Sequence, residues 1–326
     1  MAQTTMETKA KRRALICGVS GQDGAYLSQL LLSKGYEVWG TSRDSQGSSF
    51  SNLTKLGIRD QVNFLSMAPE DFRSVLVALR RSNPDEIYYL AGQSSVGLSF
   101  EQPAETIQSI TVGTLNMLEG CRMMEKNIRL YHAGSGECFG DTDGAPANEK
   151  TPFYPMSPYA VAKSSAYWLV NNYRDAYGIF ACTGILFNHE SPLRPTRFVT
   201  QKIIHAVKSI ADGSSEKLKL GRLDISRDWG WAPEYVEAMW LMLQQENPND
   251  FVVATGAPIT LEDFVRGAFE CAGLNWKDHV IQDEKLFRPS EARISFGDSS
   301  KALKELGWSA STCGVKVAQK MYQALN

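Results

Sequence analysis

Four side chains in this sequence form a set able to move protons and a hydride at a carbon bearing a hydroxyl: Ser135, Glu137, Tyr159 and Lys163. Tyr159 and Lys163 stand at i and i+4, which on a helix places them on one face. An ammonium held beside a phenol favours the phenolate and lowers its pKa. Tyr159 is therefore expected to take a proton from a substrate hydroxyl while hydride leaves the same carbon. Ser135 would share that hydrogen bond. Glu137 adds something that alcohol oxidation alone does not need. It lies two residues beyond Ser135 and faces the same side if the strand continues. Once a ketone has formed, the C–H beside it is acidic. A carboxylate can remove that proton and then hand it to a hydroxyl departing from the next carbon. The set points to a redox-neutral elimination on a sugar.

A hydride needs an acceptor, and the sequence supplies a loop suited to one. Gly18-Val19-Ser20-Gly21-Gln22-Asp23-Gly24 follows the first apolar run directly. Gly18 permits a tight turn, Gly21 lets backbone approach a pyrophosphate, and Gly24 lets the following helix pack closely on the strand. The helix N-terminus then offers N–H groups and its positive dipole end to phosphates. The end of the second strand selects the cofactor. It reads Thr41-Ser42-Arg43, with no acid before Asp44. An acid there would bind the 2′-hydroxyl of NAD, whereas Arg43 can pair with a 2′-phosphate, so NADP is expected. Arg194, Lys202, Arg227 and Arg288 are suited to a nucleotide diphosphate but lie far apart in sequence.

These residues must be positioned by a particular order of elements. Strand patterns at 13–17, 36–41, 62–65, 87–90 and 128–131 alternate with helical patterns at 25–33, 70–82 and 103–124. This is the rhythm of an α/β, doubly wound parallel Rossmann sheet, whose ligands lie at the carboxyl ends of the strands. A helix over 157–178, a strand over 181–187, a loop over 188–197 and a helix over 198–211 follow. Residues 13–189, with 231–257 returning to them, are read as the cofactor-binding domain. Residues 190–230 and 258–326 are read as a smaller mixed α/β C-terminal substrate lobe, and 1–12 as a disordered leader without the apolar region of a signal peptide. Residues 43–60, rich in Ser, Gly and Asn, are expected to form a long polar loop.

Bulk composition narrows the functional class. The net charge of −2 argues against non-specific nucleic-acid or acidic-membrane binding, and no apolar run approaches membrane-spanning length. The six cysteines include no Cys-x-x-Cys and read as reduced thiols of a cytoplasmic protein. The four histidines show no metal-ligand spacing, so no metal is expected.

Several strings resemble the GDP-mannose 4,6-dehydratase family of extended short-chain dehydrogenases/reductases, over about 14–308. They are the glycine loop continuing through Ala25-Tyr26-Leu27, Ser157-Pro158-Tyr159-Ala160-Val161-Ala162-Lys163, Phe187-Asn188-His189-Glu190-Ser191-Pro192, Arg227-Asp228-Trp229-Gly230, Tyr235-Val236-Glu237-Ala238-Met239-Trp240 and Arg288-Pro289-Ser290-Glu291. The resemblance implies oxidation at C4 with Tyr159 as base, removal of the C5 proton by Glu137, loss of water from C6, and return of hydride to C6. The product is a GDP-4-keto-6-deoxy sugar. It further implies that Ser20, Gln22, Asp23, Gln93, Ser94, His189 and Arg194 contact NADP. Asn188, Lys202, Arg227, Arg288 and Glu291 would hold the GDP portion of the substrate. Members of the family are dimers or tetramers, and the loop near 43–55 resembles their subunit-bridging segment. Ser135 stands where the family usually has threonine, which keeps the hydroxyl. Gly136 stands for a serine, Phe139 for a tyrosine, Asp44 for an arginine, Met67 for an aspartate, Ser95 for a histidine and Thr196-Arg197 for a Glu-Thr pair. The last of these changes bear on the sugar, a GDP-heptose being one alternative. Two other readings use the same scaffold: an NADP-dependent keto-sugar reductase or epimerase, which does not require Glu137, and a non-catalytic nucleotide sensor, which does not require the Tyr159/Lys163 pair.

Overall fold

A computed structural model describes residues 11–325, so all but the last two residues expected in the leader lie outside the described part. Its thirteen strands are β1 Arg13–Cys17, β2 Glu37–Ser42, β3 Val62–Ser66, β4 Glu86–Tyr89, β5 Arg129–Ala133, β6 Ala181–Leu186, β7 Asn188–Glu190, β8 Leu218–Leu220, β9 Ser226–Trp231, β10 Phe251–Val253, β11 Pro258–Thr260, β12 Val280–Gln282 and β13 Ile294–Ser295. Seven of them form one sheet in the order β10-β6-β5-β4-β1-β2-β3, every neighbouring pair parallel. The chain runs outward from β1 through β2 to β3, then crosses back to β4. The carboxyl ends of β1 and β4 therefore flank the switch point where such sheets bind ligands. The strands are nearly continuous apolar runs because helices cover both faces.

The smaller sheet is built around β9. It pairs antiparallel with β11 and parallel with β13 and β7. Asn188–Glu190 thus leaves the large sheet, in which 181–187 was expected to end, and aligns Asn188 with Trp229. A separate core of Ile203, Ile204, Trp229, Phe264, Phe269 and Met321 stabilises this part.

The region 43–60 is more ordered than its composition suggests. Helix Ser51–Lys55 and a 3₁₀ turn Arg59–Gln61 occupy part of it. Three apolar residues explain this: Phe50, Leu53 and Ile58 are buried, and the Phe50 ring stacks on Phe64 at 4.0 Å. Asn52 then donates to the carbonyls of Ser20 (3.1 Å) and Leu193 (3.3 Å), which ties the segment to the glycine loop of its own chain. Among the described residues, no helix is long and apolar enough to cross a membrane, and no cluster of three or more His, Cys, Asp or Glu is placed to hold a metal.

Candidate active site

The glycine loop joins β1 to helix Gln22–Ser33. Gly18 has φ +89°, and a Cβ there would stand 3.2 Å from the Ala91 nitrogen, beside the end of β4. At Gly24 a Cβ would meet the Gly18 carbonyl at 2.4 Å, so only glycine lets the helix start this close to the strand. The loop lines a cavity of about 480 Å³ with Ser20, Gly21, Gln22 and Asp23, with Arg43 at the end of β2, and with Gln93 and Ser94 beyond β4. Arg194 closes it from the other side. Backbone N–H groups at a helix start, a concave glycine cradle and a guanidinium past the second strand fit a phosphorylated dinucleotide. Asp44 does not oppose this. Its carboxylate accepts from the backbone N–H of Gln46 and Gly47, within its own turn. Arg43 is exposed and pairs loosely with Glu105 at 3.8 Å.

Two of the expected cofactor contacts are engaged within the protein. His189 is buried, with one ring nitrogen 2.7 Å from the Phe187 carbonyl, the other 3.0 Å from Asp23, and its ring stacked on Tyr235. Burial alone would raise the Asp23 pKa, but the charge and hydrogen bond of His189 prevail and hold it down to about 2. His189 is correspondingly raised, Asp23 outweighing the burial that disfavours its charge. The pair fixes the first turn of the helix that begins the cradle. The cavity also receives Arg197, noted above only as a departure from the family pattern, and Glu105, Ser109 and Phe198, which the sequence does not single out. No local pattern marks them, because they come from helices and loops that converge only in the fold.

The four chemistry-bearing residues come from two elements. β5 ends at Ala133, and Ser135 caps a 3₁₀ turn, Gly136–Phe139, by accepting the Glu137 N–H at 3.2 Å. The strand therefore does not continue to Glu137 as expected; the capped turn carries it. Ser157 accepts the Ala160 N–H, and Pro158 occupies the first turn, so helix Pro158–Tyr177 starts immediately before Tyr159. The Ser135 hydroxyl lies near enough to the Tyr159 phenol to favour its phenolate. Glu137 is near enough for its charge to act on both Tyr159 and Arg227.

The expected effect of Lys163 on Tyr159 is not what the structure shows. Burial drives the phenol pKa well above its ordinary value. The opposing influences are the Ser135 hydroxyl and the charge of Arg194. The Lys163 amino group donates to the Ala133 carbonyl at 2.8 Å and lies 5.9 Å from the centre of the Tyr159 ring. Burial also lowers the Lys163 pKa to about 8, against the influence of Cys138 and Asp23. Lys163 thus clamps its helix to the end of β5, two residues before Ser135.

Beyond Glu137 lies a charged cluster. The register Ser295↔Arg227 brings the segment preceding β13 against β9. Glu291 there lies 3.7 Å from Arg227 and 3.2 Å from Arg288. Arg227 is almost fully buried, and burial lowers its pKa against the opposing charges of Glu137 and Glu291. Three of the scattered residues thus converge beside Glu137. Half-buried Asn188 lies on neighbouring β7. Lys202 stands on the surface with its amino group on the Lys219 carbonyl, 2.7 Å away. Asp228, also not singled out in advance, is fully buried and holds the cluster's backbone: it accepts from Thr255, Gly256 and Gly297.

A larger hollow of about 720 Å³ lies elsewhere, near Asn148, Arg174, Asp250 and Lys301. Its buried charges, Arg174 and Asp250, pair with each other at 2.9 Å.

Residues 15–321 match the family model described as GDP-mannose 4,6 dehydratase. The chain is 45% identical to GDP-mannose 4,6 dehydratase 2 of Arabidopsis thaliana, covering 95% of this chain and 86% of that protein. It is 43% identical to GDP-mannose 4,6-dehydratase of Sinorhizobium fredii, covering 93% of each. Its fold superposes on Thermus thermophilus UDP-glucose 4-epimerase, solved with NAD, with a TM-score of 0.84 at 24% identity over 95% of this chain and 98% of that one.

Proposed function

We infer the activity of this chain from the fact that it belongs to the GDP-mannose 4,6-dehydratase family. It is a lyase that removes water from a GDP-sugar of the mannose type and yields the GDP-4-keto-6-deoxy sugar. The feature that carries this reading is a carboxylate, Glu137, close enough for its charge to act on both Tyr159 and Arg227. A keto-sugar reductase has no use for a carboxylate there. NADP, held by the glycine cradle with Arg43 at its 2′-phosphate, supplies when bound a hydride acceptor at C4 that is also the donor at C6, so no net oxidation occurs.

Each residue then has a defined task. Tyr159 takes the proton of the C4 hydroxyl; the Ser135 hydroxyl and Arg194 offset part of the burial that disfavours its phenolate. Lys163 keeps the helix of Tyr159 in register with β5. Glu137 removes the C5 proton and passes it to the hydroxyl leaving C6 as water; C5 afterwards takes a proton from solvent, and Tyr159 releases to solvent the one it took from the C4 hydroxyl. Arg227 and Arg288 hold the diphosphate, whose arrival releases Glu291 from two guanidinium partners to bind elsewhere on the nucleotide. Asn188 and Lys202 complete the GDP contacts. Gln93, Ser94, His189 and Arg194 belong to the cofactor side, His189 acting through Asp23. In this reading 13–189 with 231–257 serve the cofactor, and 190–230 with 258–326 serve the substrate.

The same reading makes the protein a cytoplasmic homodimer or homotetramer. All six cysteines are free, which suits a reducing compartment. Val161 and Trp168, one heptad apart on helix Pro158–Tyr177, are exposed, as are Ile107 and Val112 on the adjoining helical run. A second copy covering this face would bury them. Incubating the purified protein with a panel of nucleotide sugars, read by mass spectrometry, tests the activity. Loss of water from GDP-mannose without added reductant is expected. Steady consumption of NADPH with a keto-sugar would overturn the lyase reading in favour of a reductase.

A further inference from the structure

The cavity beside the glycine loop is lined by three arginines, Arg43, Arg194 and Arg197, and by two carboxylates, Asp23 and Glu105. Asp23 is engaged, bonded to His189 and accepting from Gln22. Glu105 accepts no hydrogen bond among the described residues, and its ion-pair partner there is Arg43, 3.8 Å away. The two side chains are 59% and 52% exposed, Arg43 the more so, and such a contact adds little to the fold. The placement of Glu105 is nonetheless well supported. It sits in helix Pro103–Ile107, and the next residue, Thr106, is fully buried and receives the side-chain amide of Gln93 at 3.3 Å. The Gln93 backbone N–H donates to the Ser109 hydroxyl, also at 3.3 Å. These bonds tie the helix to the segment after β4 and leave Glu105 at the cavity rim beside Arg43. The acid next to Arg43 in sequence, Asp44, is turned into its own loop instead.

We propose that Glu105 is a specificity-determining residue for the cofactor: its carboxylate opposes a 2′-phosphate at Arg43 and so narrows the preference for NADP over NAD. The proposal rests on the reading of Arg43 as the 2′-phosphate contact. A carboxylate and a phosphate compete for one guanidinium, and if both stay on it they repel each other. NAD brings a hydroxyl to the same place, which carries no charge and can donate to a carboxylate. Glu105 therefore acts against one cofactor and not against the other. Exposed charges of this kind change an equilibrium constant by up to about fivefold, and salt weakens them.

Calorimetric titration of the full-length protein, stripped of cofactor, tests this with NADP, NAD, adenosine 2′,5′-bisphosphate and AMP. The last two isolate the 2′-phosphate from the rest of the cofactor. Glu105→Gln keeps the shape of the side chain and removes its charge. It is expected to tighten NADP and the bisphosphate by about fivefold at low salt, with NAD and AMP within about twofold of wild type. At about 0.5 M salt the gain should fall below about twofold. Glu105→Lys, which puts a cation at the rim, should tighten NADP by about tenfold. An unchanged ratio of NADP to NAD affinity in both variants, or an equal gain for all the probes, overturns the proposal. A merely structural role of Glu105 in its helix would move all the probes together. Arg43→Ala measured alongside separates the two ideas. If the wild-type protein binds the bisphosphate no better than AMP and Arg43→Ala changes neither, the reading of Arg43 itself fails, and the proposal with it. If Arg43→Ala removes the advantage of the bisphosphate while Glu105→Gln leaves it as it was, only the role of Glu105 fails.

Discussion

The two sides of this site are built in opposite ways. The glycine-loop side is local: within seven residues the chain turns through Gly18, starts a helix at Gln22 and sets its first turn with Asp23. The side around Arg227, read above as the substrate side, is assembled from a distance. Arg227 and Glu291 are 64 positions apart and meet because β13 pairs with β9 in one register. A site of the first kind is fixed by backbone conformation and breaks when a side chain is added. A site of the second kind is fixed by sheet pairing and buried charge, and it breaks when a charge is removed. The Ser135–Phe139 turn lies where the two meet.

The sharpest break falls on that seam. Tyr159→Phe keeps the buried ring but removes the proton acceptor, so turnover is expected to fall about a thousandfold. Cofactor binding, followed by fluorescence titration, should be unchanged. Breaking the substrate side alone comes next. Arg227→Met leaves Glu137 and Glu291 without their buried partner and is expected to raise KM for the GDP-sugar by about a hundredfold, with NADP affinity intact. Equal loss for both ligands would show that the two sides are not separable. The mirror experiment is Gly24→Ala, whose methyl meets the Gly18 carbonyl; NADP affinity should fall by about ten- to a hundredfold while GDP binding, measured calorimetrically, is retained.

Smaller effects sharpen the contrast. Arg43→Ala should weaken NADP by about tenfold and leave NAD unaffected, since only a 2′-phosphate needs the guanidinium. Lys163 gives a pH signature. Its folded-state pKa of about 8 lies below the ordinary 10.5, so between those values the unfolded chain holds a proton that the folded one has lost. Stability should therefore rise with pH across that window in the cofactor-free protein, and Lys163→Met should flatten the rise in urea unfolding.

Much of the fold was legible from pattern. The βαβ alternation, the glycine spacing and the helix over 157–178 are short-range signals, and the structure has the parallel sheet and the helices they imply. The order in 43–60 was not legible, because Phe50, Leu53 and Ile58 are only three apolar residues in a polar stretch and acquire meaning when a core is there to receive them. Lys163 misled for a related reason. Helical spacing places it on the face of Tyr159, but spacing says nothing of the Ala133 carbonyl that takes its proton donor.

The sequence by itself determined the parallel sheet, the glycine turn and the kinds of group available for catalysis, since each depends on neighbours within a few residues. Only the tertiary structure decided that Arg227, Arg288 and Glu291 gather beside Glu137 and that His189 serves Asp23. Those arrangements depend on strand register and on which side chains share a buried volume, and both are settled only when distant segments compete for the same space.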